Sequence, residues 1–185
     1  MNENTEPFSS DEWGVLQNRA RRLAVQGVAQ ESAGRGDFYL LIQLGKSEQY
    51  AIAYSFLDEV IPPQRLMKVP GVHECFAGAF NYRGLMMTAV DMRRYLGIPQ
   101  SRPLDACQLA IIHTQSLRIA LLVDDIIGNR ELHPDALKPG LHENDAAAFR
   151  CVKGLFQGNI ALLDPEIMVS DPIFHAHKVQ WFQQS

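Results

Sequence analysis

Three aspartates, Asp91, Asp124 and Asp164, are the residues best placed to do acid/base or metal chemistry, because clustered carboxylates can move a proton or hold a divalent cation. Their placement at comparable points of the chain favours a structural task instead, accepting backbone N–H bonds at strand ends. A small β-barrel enzyme using Asp91, Asp124 and Asp164 is the rival from the catalytic class. It requires the three to converge in a polar pocket and predicts stabilisation by divalent metal. Among the histidines only His175 and His177 are closely spaced, and two ligands in an extended tail do not complete a metal site. The cysteines Cys75, Cys107 and Cys151 are odd in number and form no CxxC pair, which speaks for free thiols in a reducing compartment. Cys75, between Glu74 and Phe76, has nothing beside it to stabilise a thiolate and reads as a buried structural residue. Gly45-Lys46-Ser47 resembles the end of a phosphate loop, but Leu40 stands where that loop needs its first glycine. Gly34 and Gly36 lack the third glycine of a dinucleotide fingerprint and precede a strand rather than a helix. The reading therefore assigns no catalytic residue, no cofactor and no metal.

Asn81-Tyr82-Arg83-Gly84 differs from these, because a cation and a glycine stand together at a turn between apolar strands. Gly84 can take a positive φ, and Arg83 must then either pair with a nearby carboxylate or project toward a partner. The residues alone leave both open.

The elements that must position this turn are short strands. Phe38 to Leu44 and Gln49 to Ile52 read as one hairpin about the turn Gly45 to Glu48, and Leu109 to His113 with Leu117 to Val123 as a second. Val60 to Ile61, Leu85 to Val90 and Asn159 to Leu163 are further strand candidates, separated by Pro62-Pro63, Pro70-Gly71 and Pro139-Gly140. Many short strands with such punctuation indicate small barrels or a sandwich.

An approximate internal repeat sharpens this. Asp58-Glu59-Val60-Ile61 follows the first hairpin as Asp124-Asp125-Ile126-Ile127 follows the second. Gly78-Ala79-Phe80 leads through a turn and a strand to Asp91, and Gly154-Leu155-Phe156 leads likewise to Asp164. The glycine pair lies farther apart than the acidic pair, so the second half carries an insertion between them. Two copies can hide their strand edges only by closing as barrels.

Composition agrees with a folded domain. The 185 residues are 46% hydrophobic and 21% charged, with a net charge of −4 that supplies no global field for nucleic acid. The first residues, Met1 to Glu12, are polar, and no run reaches about 18 consecutive apolar residues, so neither secretion nor membrane insertion is expected. Residues 1–36 read as an appendage, with a helix capped at Ser10 and Asp11 that shows Val15, Leu16, Ala20 and Leu23 on one side, followed by a linker ending at Gly36.

The segment Ala77-Gly78-Ala79-Phe80-Asn81-Tyr82-Arg83-Gly84, with the strand after it and Asp91-Met92-Arg93, resembles the central signature of the CheW-like domain of bacterial chemotaxis coupling proteins. Ile119 to Gly128 and Val152 to Leu163 with Asp164-Pro165 resemble two further motifs of that family. The resemblance implies two five-stranded SH3-like β-barrels packed together, with short connecting helices, over residues 37–169. A tail over 170–185 would carry Phe174, Trp181 and Phe182.

The resemblance also implies a non-enzymatic, cofactor-free adaptor, cytoplasmic, tied to membrane receptor arrays through its partners and monomeric when free. Those partners would be the cytoplasmic tips of methyl-accepting chemoreceptors and the regulatory domain of a CheA-type histidine kinase. Carried over by position, partner binding falls to Leu57, Glu59, Val60, Gly78, Asn81, Arg83, Gly84 and Met86, with exposed apolar groups around Leu57, Val60 and Met86 supplying burial and Arg83 setting register. Tyr82 stands where the family commonly has Leu, and Thr88 where it often has Pro. An adaptor of a pilus-motility or surface-sensing system is the alternative within the class, and a homo-oligomer pairing barrel edges the alternative outside it.

Overall fold

The computed structural model describes residues 36–139, 150–157 and 159–175. The helix expected near residues 10–23, His177, Trp181 and Phe182 lie outside them. Eleven strands are seen among the described residues: β1 (Asp37–Leu44), β2 (Glu48–Ala53), β3 (Leu57–Ile61), β4 (Phe76–Tyr82), β5 (Leu85–Asp91), β6 (Gln108–His113), β7 (Arg118–Val123), β8 (Asp125–Leu132), β9 (Lys138–Pro139), β10 (Val152–Phe156) and β11 (Ile160–Leu163). Two five-residue helices, α1 (Met92–Leu96) and α2 (Pro165–Val169), follow β5 and β11. No described helix is long and apolar enough to cross a membrane.

The strands form two sheets, in the orders β8-β1-β2-β11-β10-β9 and β3-β6-β7-β5-β4. The repeat read in the sequence maps β1 to β5 onto β6, β7, β8, β10 and β11, and under that mapping the two sheet orders become one. Each hairpin therefore pairs with strands of the other half. Hairpin β1–β2 is flanked by β8 and, in parallel, by β11, while hairpin β6–β7 is flanked by β3 and, in parallel, by β5. The halves have exchanged strands, and neither barrel belongs to one half alone.

Equivalent positions do equivalent work. The Asp91 N–H donates to the Cys75 carbonyl and the Asp164 N–H to that of Cys151, each at 2.7 Å. A bulge interrupts β4 just before Gly78 and β10 just before Gly154. At both glycines a neighbouring backbone passes too close for a side chain: a Cβ on Gly78 would lie 2.5 Å from the Met67 carbonyl oxygen, and one on Gly154 would run into that of Lys138. Both glycines lie inside strands, β4 and β10, that lead to the turns read in the sequence. One barrel departs from the expected five strands, because β9 adds a sixth, whereas its counterpart, Met67, makes only an isolated bridge to Ala79.

Three apolar clusters explain why β1 and β7 read as nearly continuous apolar runs. Tyr39 and Leu41 face one barrel's interior with Phe156, Ile160 and Leu162, while Leu40, Ile42 and Leu44 face the opposite way. Ala120 and Leu122 face the other barrel's interior with Phe80, Met87 and Leu109, while Ile119, Leu121 and Val123 face the opposite way. The outward rows meet in a central cluster drawn from both sheets. Leu132 and Leu137, beside opposite edges of the first sheet, join one cluster, as do Ile61 and Phe80 in the second, so each sheet wraps around its own core. Phe174, which the sequence reading assigned to the tail, is buried in the central cluster, with its ring 5.6 Å from Phe76 and 5.7 Å from Tyr95.

Candidate functional site

The two-residue connection between β4 and β5 has positive φ at both positions, 53° at Arg83 and 87° at Gly84, as the tightest hairpin turn requires. The Asn81 side chain closes it by accepting from the Gly84 N–H at 3.0 Å. Arginine in a left-handed conformation is costly, and two contacts offset the cost. Arg83 Nη2 donates to Glu59 Oε2 at 2.6 Å, and the guanidinium carbon stands 5.0 Å from the centre of the Tyr82 ring. The Tyr82 hydroxyl donates to the same Glu59 oxygen at 2.5 Å. Burial, then the bond to Glu59, pushes the Tyr82 phenol up to about 12. Glu59 lies on β3 and Tyr82 on β4, the two edges of one sheet, so this triad sews the barrel shut.

Of the eight residues expected to bind partners, the triad brings Glu59 and Arg83 together, with Asn81 and Gly84 in the same turn. Arg83 keeps 56% of its side chain exposed while paired. Met86 is half exposed, and so are Leu85 and Met67, which the sequence reading passed over. Register places Met67, Ala79, Thr88, Asn81 and Met86 on the outer face of this sheet, opposite the buried Phe80 and Met87. The exposure expected at Leu57 is corrected. Leu57 is not an exposed apolar contact: it is 7% exposed and belongs to the central cluster, because the other barrel covers the start of β3, and Val60 packs partly against the same cluster. Gly78 is buried at its bulge, where the close approach of Met67 explains the glycine without a partner.

The three candidate carboxylates do not form one site. Asp91 accepts from Arg93 Nε at 3.0 Å and Nη2 at 3.1 Å, and Asp124 accepts from Arg93 Nη1 at 2.7 Å. Arg93 is fully buried. Burial opposes its charge, but the hydrogen bonds and charge of Asp91, helped by Asp124, outweigh it and hold the guanidinium above its ordinary value. Asp164 instead caps α2, accepting from the N–H groups of Glu166 and Ile167. Each of the three does accept backbone N–H bonds, Asp91 from Arg93 and Asp124 from Gly45. No group of three or more His, Cys, Asp or Glu suited to a metal occurs among the described residues. The thiols of Cys75, Cys107 and Cys151 are buried and form no disulfide, and burial pushes them up to about 12, 11 and 12.

Asp58, in the acidic step equivalent to that of Asp124, meets the other hairpin. Arg118 Nε lies 2.8 Å from its Oδ2 and His113 Nδ1 2.8 Å from its Oδ1, the latter without hydrogen-bond alignment. These residues line an open cavity of about 460 Å³ beside the β6–β7 turn.

The sequence model of the CheW-like domain matches residues 39–172. The chain belongs to the CheW-like domain family. The chemotaxis protein CheW of Bacillus subtilis is 23% identical over 108 residues, covering 57% of this chain and 69% of that one. Protein PilI of Pseudomonas aeruginosa is 23% identical over 141 residues, covering 76% and 79%. The crystal structure of the scaffolding protein TtCheW from Thermoanaerobacter tengcongensis superposes with a TM-score of 0.62 at 19% identity, covering 70% of this chain and 89% of that one. Its likeness shows the CheW-like fold of two SH3-like barrels. On that fold Tyr82 and Arg83 both tie the turn to Glu59.

Proposed function

We propose that this CheW-like protein is a non-enzymatic adaptor that couples methyl-accepting chemoreceptors to a CheA-type histidine kinase, in the cytoplasm, at receptor arrays it reaches through its partners. Family membership over residues 39–172 carries the reading. The hairpin tip supports it: the exposed Leu85 follows directly on the turn that carries the half-exposed Arg83, and Met86 and Met67 are exposed on the outer face of the sheet, a combination of apolar area and one oriented charge that partner surfaces use. Glu59, Val60, Asn81, Arg83, Gly84 and Met86 form or flank the proposed contact, while Leu57 and Gly78 support it from beneath. An adaptor that holds receptor and kinase together raises their effective concentration, and it transmits a signal by binding the kinase-on and kinase-off states with different affinity.

The test begins in the protein's own host. A tagged copy, gently purified, should bring down a histidine kinase and a chemoreceptor, and the receptor's identity then separates a chemotaxis pathway from a pilus or surface-sensing one. A clean monomer with neither partner would overturn the reading. Arg83→Asn probes the contact itself, since Asn suits the left-handed turn but removes the cation. The expected result is weaker receptor recovery with kinase recovery retained.

A further inference from the structure

Arg83 donates to Glu59 through Nη2, and no other hydrogen-bond acceptor is found for it among the described residues. Its remaining N–H groups are free to meet a partner. The guanidinium they belong to is not free to wander. Glu59 holds one edge and the Tyr82 ring lies beneath, while Glu59 is itself steadied by the Tyr82 hydroxyl. A leucine at position 82 would supply neither the hydroxyl nor the aromatic face. Without them Arg83 would have only an exposed ion pair to fix its direction, and such pairs are weak and easily exchanged for water.

We propose that Tyr82 is a positioning and specificity residue: it pre-orients Arg83 so that the free edge of the guanidinium meets a carboxylate of the receptor segment whose apolar side chains cover Leu85, the exposed cross-strand neighbour of Tyr82. The inference rests on the adaptor reading and refines it by naming the partner chemistry at the turn. An arginine immobilised before binding loses less side-chain entropy when it binds, and its fork accepts a carboxylate in one orientation only. Tyr82 thus sets both how tightly and in which direction the acidic group is held. Receptors with an apolar or basic residue at that place are disfavoured, because they would leave the oriented charge desolvated and unanswered.

The experiment uses the full-length protein and the soluble cytoplasmic tip of the receptor recovered with it. Tyr82→Phe keeps the ring and removes the bond to Glu59; Tyr82→Leu removes both. Affinity should fall about 2-fold to 3-fold for Phe and about 5-fold to 10-fold for Leu, the scale expected when one long side chain loses its pre-organisation. The deciding step is a double-mutant cycle: in an Arg83→Ala background, Tyr82→Phe should cost no further affinity, because Tyr82 acts through Arg83. A purely structural tyrosine would lower the melting temperature and weaken binding equally in both backgrounds, and that result overturns the proposal. NMR of the unbound protein gives a readout independent of any partner. Rotation of the Arg83 guanidinium should be slowed in the unaltered chain and released in Tyr82→Phe, and fast rotation in the unaltered chain would overturn the positioning role. Failure of the unaltered protein to bind the receptor tip would overturn the adaptor reading, and with it the specificity role.

Discussion

Arg93 and Arg83 stand ten positions apart in the sequence, but the first is fully buried and the second half exposed, and their removal costs differ accordingly. Arg93 is enclosed by Asp91, Asp124 and the Arg102 carbonyl, which accepts from Nη1 at 2.9 Å. Removing one partner of a buried ion cluster leaves the others uncompensated, so Arg93→Met should lose about 3–5 kcal/mol in urea unfolding. Arg93→Lys should not rescue it, because one ammonium cannot answer two oxygens of Asp91 and one of Asp124 together. Arg83 is half exposed, its pair with Glu59 is worth only about 0.2–1 kcal/mol, and Asn accepts the turn's backbone, so Arg83→Asn should stay within about 1 kcal/mol of the parent. The buried thiols contribute to the response to alkali from the lowest pH, and the raised tyrosines follow from their higher ordinary value of 10.0. Unfolded thiols ionise near the ordinary value of 9.0, whereas those of Cys75, Cys107 and Cys151 are raised to about 12, 11 and 12. Between these limits the folded chain keeps protons that the unfolded chain has released, so stability is intact below pH 9 and falls as pH rises beyond it. Each thiol adds up to about 1.4 kcal/mol per pH unit to that slope. Unfolding midpoints measured from pH 8 to 11 should show it, with a shallower fall in Cys75→Ala.

Elements repeat across the two halves, and the repeat lets one substitution serve as control for another. Asp91 caps α1 and Asp164 caps α2, but only Asp91 also holds Arg93. Asp164→Ala should therefore cost about 1 kcal/mol, the ordinary loss of a helix cap, and Asp91→Ala several times more in the same denaturation series. The hairpins β1–β2 and β6–β7 were legible in the sequence, because strands covered on both faces are written as apolar runs with polar turns between them. Strands β4, β8 and β10 were not. Gly78 and Gly154 look like turn residues, and only the passing backbones of Met67 and Lys138 show why strands contain them. Strand β8 lies at a sheet edge, where Asn129, Arg130 and Glu131 remain exposed and hide its pattern. In the site, the Arg83-Gly84 turn was readable from local chemistry. The link from Glu59 to Tyr82 joins positions far apart in sequence, and the burial of Leu57 depends on the opposite barrel. Neither has a local signature.

Strand exchange joins the two barrels, which together should behave as one cooperative unit. The segment 57–123 contains all five strands of one barrel without interruption, so topology alone does not prevent it from folding by itself. Its outward row, Val90, Ile112, Ile119, Leu121 and Val123, is fully covered by the other barrel through the central cluster. Exposing these five side chains at about 1.5–3 kcal/mol each would consume a stability that rarely exceeds about 5–15 kcal/mol for a domain. The Asp124 cross-link to Gly45 and the Gln43 carbonyl would be lost as well. A fragment spanning residues 54–124 should therefore show no cooperative melt and should bind an apolar dye. The full chain should unfold in a single transition that coincides by calorimetry and far-ultraviolet circular dichroism. Two resolved transitions, or a folded fragment, would mean that the barrels are held by their own interiors. The shared core would then be too weak to carry a signal from the Arg83 turn to the opposite barrel.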